Sequence, residues 1–294
     1  MLALEDTFYN LAISCGQKSV VLCDRGVMDT SAYMSKAAFR RMLDQVGLSD
    51  IAAKEGRYHG VIHLVTAADG AEKFYGSETN ATRRENPEEA REIDQKIRAA
   101  WIGHPYLSVI DNSTSFSDKV KKVLDCVLHL VGEPTPGIAK RKFLVSFAPE
   151  ELPVDFQTYD VEHDYLISTD ATQQRLRRRG KNGRYTFTLT TRYSKSEDGQ
   201  RVETRRVLTE KEHESLVNSQ KDPERMTVKK QRRSFLYERQ YFELDLYLQP
   251  KTGLLLLEGS MDPTLEPNLP PFLQVEREVT KSPEFSMFAL AKLD

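Results

Sequence analysis

Apolar residues recur along the first third of the chain with two different periods. Leu4, Phe8, Leu11 and Ala12 fall at helical spacing. VVLCD, residues 20–24, is a short continuous apolar run of the kind buried in parallel sheets. It predicts a strand that delivers Asp24, Arg25 and Gly26 at its carboxyl end and then hands over to a helix. FRRMLDQVG predicts a helix and GVIHLVTA a second buried strand. NPEEAREIDQKIRAAWIG reads as a helix opened by Asn86 and Pro87, with acidic residues in its first turns. LSVIDN predicts a third strand. SFSDKVKKVLDCVLHLVG predicts a closing helix, capped by Ser115 or Ser117 and stopped at Gly132. Strands alternating with helices in this order predict an α/β layer with parallel strands.

The pattern changes after residues 133–137, EPTPG, where two prolines and a glycine cannot continue a helix. This linker divides the chain into an expected first domain, 1–132, and a second, 138–294. In the second, KFLVSF, YDVEHDYLI, RYTFTLTTRY, RVETRRVL, SFLYERQYFELDLYLQ, GLLLLEGSM and FLQVEREVT alternate with period two. The turn signals KNG, EDGQ and PKTG lie between them. KEHESLVNSQ interrupts as a short helix. The expectation is an antiparallel β domain with enough strands to close a barrel.

Composition narrows the picture. At 294 residues with 29% charged side chains and a formal net charge of −2, the chain has no bulk basicity to hold nucleic acid, and any basic surface is local. Cys15, Cys23 and Cys126 have no CxxC spacing, which argues against a disulfide framework or a zinc site. No run approaches a membrane span and the N-terminus lacks signal-peptide character, so a cytoplasmic protein, at most peripheral at membranes, is expected.

Alternation also places charge. In QRLRRRG, Arg175, Arg177 and Arg179 share one strand face; Arg201, Glu203 and Arg205 share one in RVETRR, and Lys230 and Arg232 in VKKQRRS. Tyr185, Phe187 and Leu189 lie on the face opposite Thr186, Thr188, Thr190 and Arg192. Phe242, Leu244 and Leu246 likewise separate from Glu243 and Asp245. If the apolar sets form an outer layer, the charged faces point at one another inside, where so many cations need carboxylates, water or a polyanion. Alternatively they are solvent faces of an open sheet. In the first half, Asp24 either sits beside a phosphate-bound magnesium or caps the next helix. Arg83 and Arg84, in SETNATRRENP, either close over phosphates or belong to a solvated loop.

VVLCDRGVMDTSAYM, RYHGVIHLVTAADGAEKFYG, AWIGHPYLSVIDNS, KRKFLVSF, QRLRRRGKNGRYTFT, FELDLY and EREVTKSPEFSMFAL together resemble the family of the TRPL translocation defect protein 14. The resemblance implies an α/β plus mainly β chain. An incomplete AAA-type, P-loop parallel sheet related to the kinase domain of NadR enzymes would be followed by a CYTH-like antiparallel β-barrel of the triphosphate-tunnel type. It implies that Asp24, with Arg25, ends a Walker-B-type strand and that Arg83 and Arg84 are lid arginines. Arg175, Arg177, Arg179, Lys230 and Arg232, with Arg192 and Arg205, would face phosphates; Glu243, Asp245 and Glu258 would be the acidic members of the tunnel. The implied ligands are anionic phospholipids and, in intact relatives, GTP with magnesium, and the implied partners are the membrane-protein trafficking machinery.

Two departures bear on chemistry. CYTH enzymes open with ExExK, whose carboxylates hold metal, whereas Ile138 and Lys140 stand at the two glutamate positions here. No GxxxxGK[ST] occurs; CGQKS, residues 15–19, lacks the first glycine, so the sequence reads as starting after the phosphate loop. No catalytic or metal-ligating residue is therefore assigned. The expected function is binding of phosphate ligands, the alternatives being a CYTH-type triphosphatase or a NadR-like nucleotide kinase.

Overall fold

The computed structural model of the chain describes residues 1–76, 85–133, 135, 137–168, 172–193 and 203–293. Its first half is helical around a small sheet. Helices α1 (Leu2–Ser14), α2 (Lys36–Gln45) and α3 (Asp50–Glu55) precede strand β1 (Val61–Leu64). Helix α4 (Pro87–Trp101), strand β2 (Leu107–Ile110) and helix α5 (Phe116–Leu130) follow. The α4 start is fixed as its sequence predicts: Asn86 accepts from the Glu88 and Glu89 amides, Glu89 reaches back to the Asn86 amide, and Pro87 occupies the first turn. Ser115, not Ser117, caps α5. Strands β1 and β2 pair in parallel, from Val61 opposite Leu107 to Leu64 opposite Ile110.

VVLCD does not form the expected strand. Residues 18–23 carry no ladder, and Val20, Val21 and Leu22 are exposed, Leu22 at 79%. An apolar run becomes a buried strand only where a neighbour offers ladder hydrogen bonds and a cover. Among the described residues the parallel sheet contains β1 and β2 alone. The segment after it folds as a 3₁₀ turn, Val27–Tyr33, held by Asp29, which accepts from the Gly26 amide at 2.9 Å and from Trp101 Nε1 at 2.5 Å.

The second half is a nine-stranded sheet with the order β11-β3-β10-β9-β8-β4-β5-β6-β7 and antiparallel pairing throughout. Its strands are β3 (Ala139–Phe147), β4 (Phe156–Tyr165), β5 (Thr172–Lys181), β6 (Arg184–Tyr193), β7 (Glu203–Leu208), β8 (Val228–Tyr237), β9 (Gln240–Gln249), β10 (Leu255–Met261) and β11 (Gln274–Glu278). Helix α6 (Glu210–Gln220) links β7 to β8, and α7 (Met287–Leu290) follows β11. The β5–β6 turn uses Asn182 and Gly183 at φ 52° and 76°, as KNG predicts. SFLYERQYFELDLYLQ is two strands rather than one, because Glu238 and Arg239 both adopt positive φ (45° and 69°) and reverse the chain. Neither residue type signals such a turn.

The sheet does not close into the expected barrel. Its end strands, β11 and β7, are unpaired on their outer sides among the described residues. β11 runs through two register shifts against β3, and β7 presents Arg205 and Arg206 along a short edge; irregularity and charge both oppose further pairing. Where a closing wall would stand, the first half covers the polar face. Tyr241 of β9 joins the core formed by Val27, Phe39, Ile97, Trp101 and Leu107, and Ile51 packs on Tyr159 and Val161. The opposite face is apolar: Phe143, Phe235, Phe242, Leu244 and Leu257 pack with Leu152 and Leu273. Phe187 and Leu208 lie under Leu216 and Val217 of α6. No helix among the described residues is long and apolar enough to cross a membrane.

Candidate functional site

Residues directly opposite in antiparallel strands share a face, so the registers assemble the polar face from sequence-distant pieces. Arg175, Arg177 and Arg179 on β5 stand opposite Thr190, Thr188 and Thr186 on β6, and opposite Tyr165, His163 and Val161 on β4. Arg205 on β7 stands opposite Thr190, and Arg192 opposite Glu203. Lys230 and Arg232 on β8 meet Val161 and Tyr159 on one side, and Tyr247 and Asp245 on the other. Glu258 of β10 continues the row between Glu243 and Lys142.

Charge is not balanced uniformly across this face. At the β8–β10 end it is saturated. Arg232 grips Asp245 with Nε and Nη2 at 2.6 and 2.7 Å and donates from Nη1 to Glu243 at 2.6 Å. Lys230 donates to Asp245 at 2.5 Å. Lys140 and Lys142 lie 2.7 and 3.1 Å from Glu258. Burial alone would raise Asp245, but Arg232 and Lys230 outweigh it and hold the carboxyl below its usual range; Lys140 and Lys142 do the same for Glu258, more strongly. Lys230 and Arg232, expected to face phosphates, are thus already held by carboxylates.

At the β4–β7 end cations prevail. No carboxylate among the described residues is within ion-pair distance of Arg175. Arg177 has Glu55 of α3 at 2.6 Å, and Arg179 shares that same carboxylate. Arg179, fully buried, also donates to the Gly103 carbonyl at 2.7 Å and stacks on Tyr159, 4.0 Å from the ring centre. Arg205 donates to Tyr106 Oη at 2.6 Å, and Arg192 to Glu203 at 2.7 Å. Nε of Arg175 and of Arg177, Nδ1 of His163 and Oγ1 of Thr188 are buried without hydrogen-bond partners. Burial, with Arg205 and Arg232 next, pushes Arg177 down to about 9, while Tyr106 acts in the opposite sense. Such a cluster offers forked guanidinium donors and a hydroxyl to an anion with several oxygens.

Of the nucleotide residues expected in the first half, the structure describes Asp24 and Arg25. Asp24 and Arg25 are exposed on the connector after α1, with Arg25 at φ 75°, and the buried acid nearby is Asp29. Arg83, Arg84 and Arg201 lie outside the described residues. Sequence reasoning missed Glu55, Gly103, Tyr106 and His163. For His163 a signal existed, since it alternates with Tyr159, Val161 and Tyr165; Glu55 in AAKEG carries none. A cleft of about 460 Å³ opens elsewhere, between the α2–α3 turn and the β5–β6 hairpin.

Residues 2–119 match the family described as AAA domain, which is consistent with a P-loop-like segment and suggests nucleotide-related binding at most. No curated protein matches the chain. It is similar to the solved structure of the PH1819 protein from Pyrococcus horikoshii OT3, at 16% identity and a TM-score of 0.31 over 45% of this chain and 80% of that one. It is also similar to the PH1012 protein of the same organism, at 20% identity and a TM-score of 0.31 over 44% and 80%.

Proposed function

We propose that the protein binds phosphorylated anions, phospholipid headgroups first among them, on the polar face of its antiparallel sheet. In this reading residues 1–132 and 138–294 are a P-loop-like and a CYTH-like unit, as in the TRPL translocation defect protein 14 family, acting in membrane-protein trafficking with guanine nucleotide as a second ligand. The observation that carries it is the row of buried, unpartnered donors on Arg175, Arg177 and Thr188, at the end of the face where carboxylates are scarcest. A buried donor without a partner costs about 1–3 kcal/mol, which a bound oxyanion recovers. Hydrolysis is disfavoured because Lys140 places its ammonium 2.7 Å from Glu258 and 3.8 Å from Glu243, so these carboxylates already hold a cation.

The test uses the full chain in flotation with vesicles containing phosphatidic acid or a phosphatidylinositol phosphate, against neutral vesicles, with and without soluble tripolyphosphate. Retention on the anionic vesicles, competed by tripolyphosphate and lost in the Arg175→Glu, Arg177→Glu double variant, is expected. Equal retention on neutral vesicles, together with no binding of tripolyphosphate, defeats the proposal. The nucleotide role rests on the AAA match and is checked by equilibrium binding of labelled GTP and ATP.

A further inference from the structure

His163 stands at the centre of the cation-dominated end. The residue is 4% exposed, and its Nδ1 is buried without a hydrogen-bond partner. From β5 it faces Arg177 directly, with Arg175 and Arg179 one step along; on β8 it faces Val228, with Lys230 one step along and Arg232 further on. Its own strand adds Tyr159 and Tyr165, β6 adds Thr188, and β9 adds Asp245 and Tyr247 beyond the β8 cations. The roof contributes Glu55, which is committed to Arg177 and Arg179, and Tyr106, which is committed to Arg205.

We propose that His163 is a ligand-binding residue of the anion site, neutral when the site is empty and imidazolium when an oligophosphate is bound, so that the anion enters together with a proton. This rests on the phosphate-binding reading above. In the empty site, burial and then the charges of Arg175, Lys230, Arg177 and Arg232 hold His163 far below the ordinary histidine range. An oxyanion seated on Arg175 and Arg177 reverses the sign of that field, and Nδ1 gains an acceptor. The proton comes from solvent, and no covalent bond changes. The ligand class this selects is a compact anion with several phosphoryl oxygens, bound more tightly as the solution becomes more acidic.

Cyclic trimetaphosphate is the probe, because it carries its full charge throughout the range in which histidine titrates. Isothermal titration of the full-length protein in buffers of different ionisation heat counts the protons taken up. His163→Gln keeps a hydrogen-bonding side chain that cannot charge, and His163→Asn serves if the glutamine variant does not fold. At about pH 5.5 the wild type is expected to take up close to one proton more than the variant, falling toward none by about pH 8, and its affinity to rise about tenfold across that range, while that of the variant stays flat. Equal proton uptake and equal pH dependence in wild type and variant overturn the role of His163 and leave the anion site standing. No binding of trimetaphosphate to the wild type at any of these pH values overturns both.

Discussion

Glu55 occupies the place an anionic ligand would take on Arg177 and Arg179, and replacing it with glutamine separates the roles of roof and ligand. The side chain is 3% exposed, and its two oxygens serve the fully buried guanidinium group of Arg179 and the part-buried one of Arg177. Glutamine keeps the shape and one acceptor but removes the charge. Breaking a buried pair from one side costs about 3 kcal/mol, because the remaining charge loses its counter-ion. The same change removes a negative charge on the order of 6 Å from an anion held by the free side of Arg177, worth about 3 kcal/mol at an effective dielectric of about 20. That is about a hundredfold in affinity at low salt. Glu55→Gln is therefore expected to melt earlier than wild type without ligand, to bind tripolyphosphate more tightly, and to regain its lost stability as the ligand saturates. Thermal unfolding over a ligand series at fixed ionic strength, with calorimetric titration, measures all three. A folded Glu55→Gln protein that binds tripolyphosphate no better than wild type would show that Glu55 is not a stand-in for the ligand.

The remaining predictions concern the frame of the site. Gly103 has φ 99°, and a Cβ there would lie 2.1 Å from Tyr159 Oη, so Gly103→Ala should destabilise by at least about 2 kcal/mol in urea unfolding; an unchanged midpoint would refute the tight approach. His104 is fully buried, its Nε2 facing the Tyr58 carbonyl and its Nδ1 accepting from the Tyr106 amide, and burial lowers it to about 4. His163 is lowered as well. The unfolded chain then binds protons that the native protein does not, so stability falls with pH below the ordinary histidine value, by about 1.4 kcal/mol per residue between about pH 7.5 and 5.5. A flat urea midpoint over that range, measured without anions, contradicts it. Lys140→Glu replaces the resident ammonium beside Glu243 and Glu258 with a third carboxylate, and manganese affinity read by electron paramagnetic resonance should rise at least about tenfold. Residues 1–134 expressed alone should show no cooperative thermal transition, because their core closes on Tyr241 and leaves Leu4, Leu22, Phe116 and Leu124 exposed.

The strand faces were legible in the sequence because a period of two is a local property: Arg175, Arg177 and Arg179 share a side whatever they pair with. Caps were legible for the same reason, as Asn86, Pro87 and Glu89 act within one turn. VVLCD shows the limit of such reasoning. Its composition is that of a buried strand, but ladder hydrogen bonds come from a neighbour, and no strand among the described residues pairs with it. The Glu238–Arg239 reversal was hidden because a two-residue hairpin turn demands positive φ at both positions, and neither Glu nor Arg signals it; in the turn Arg239 reaches Asp69 and Asp111 at 2.9 and 3.0 Å, in the loops after the parallel strands.

The sequence by itself therefore determined which side chains could act together, through alternation along β5, β6, β8 and β9. Only the tertiary structure decided how much of that charge is free. Ion pairing depends on distances between segments far apart in the chain, so Asp245 and Glu243 neutralise Lys230 and Arg232 at one end, while a carboxylate from a six-residue helix reaches Arg177 and Arg179 at the other. What stays unneutralised, around Arg175 and His163, is the difference between those two pairings, and no periodicity encodes it.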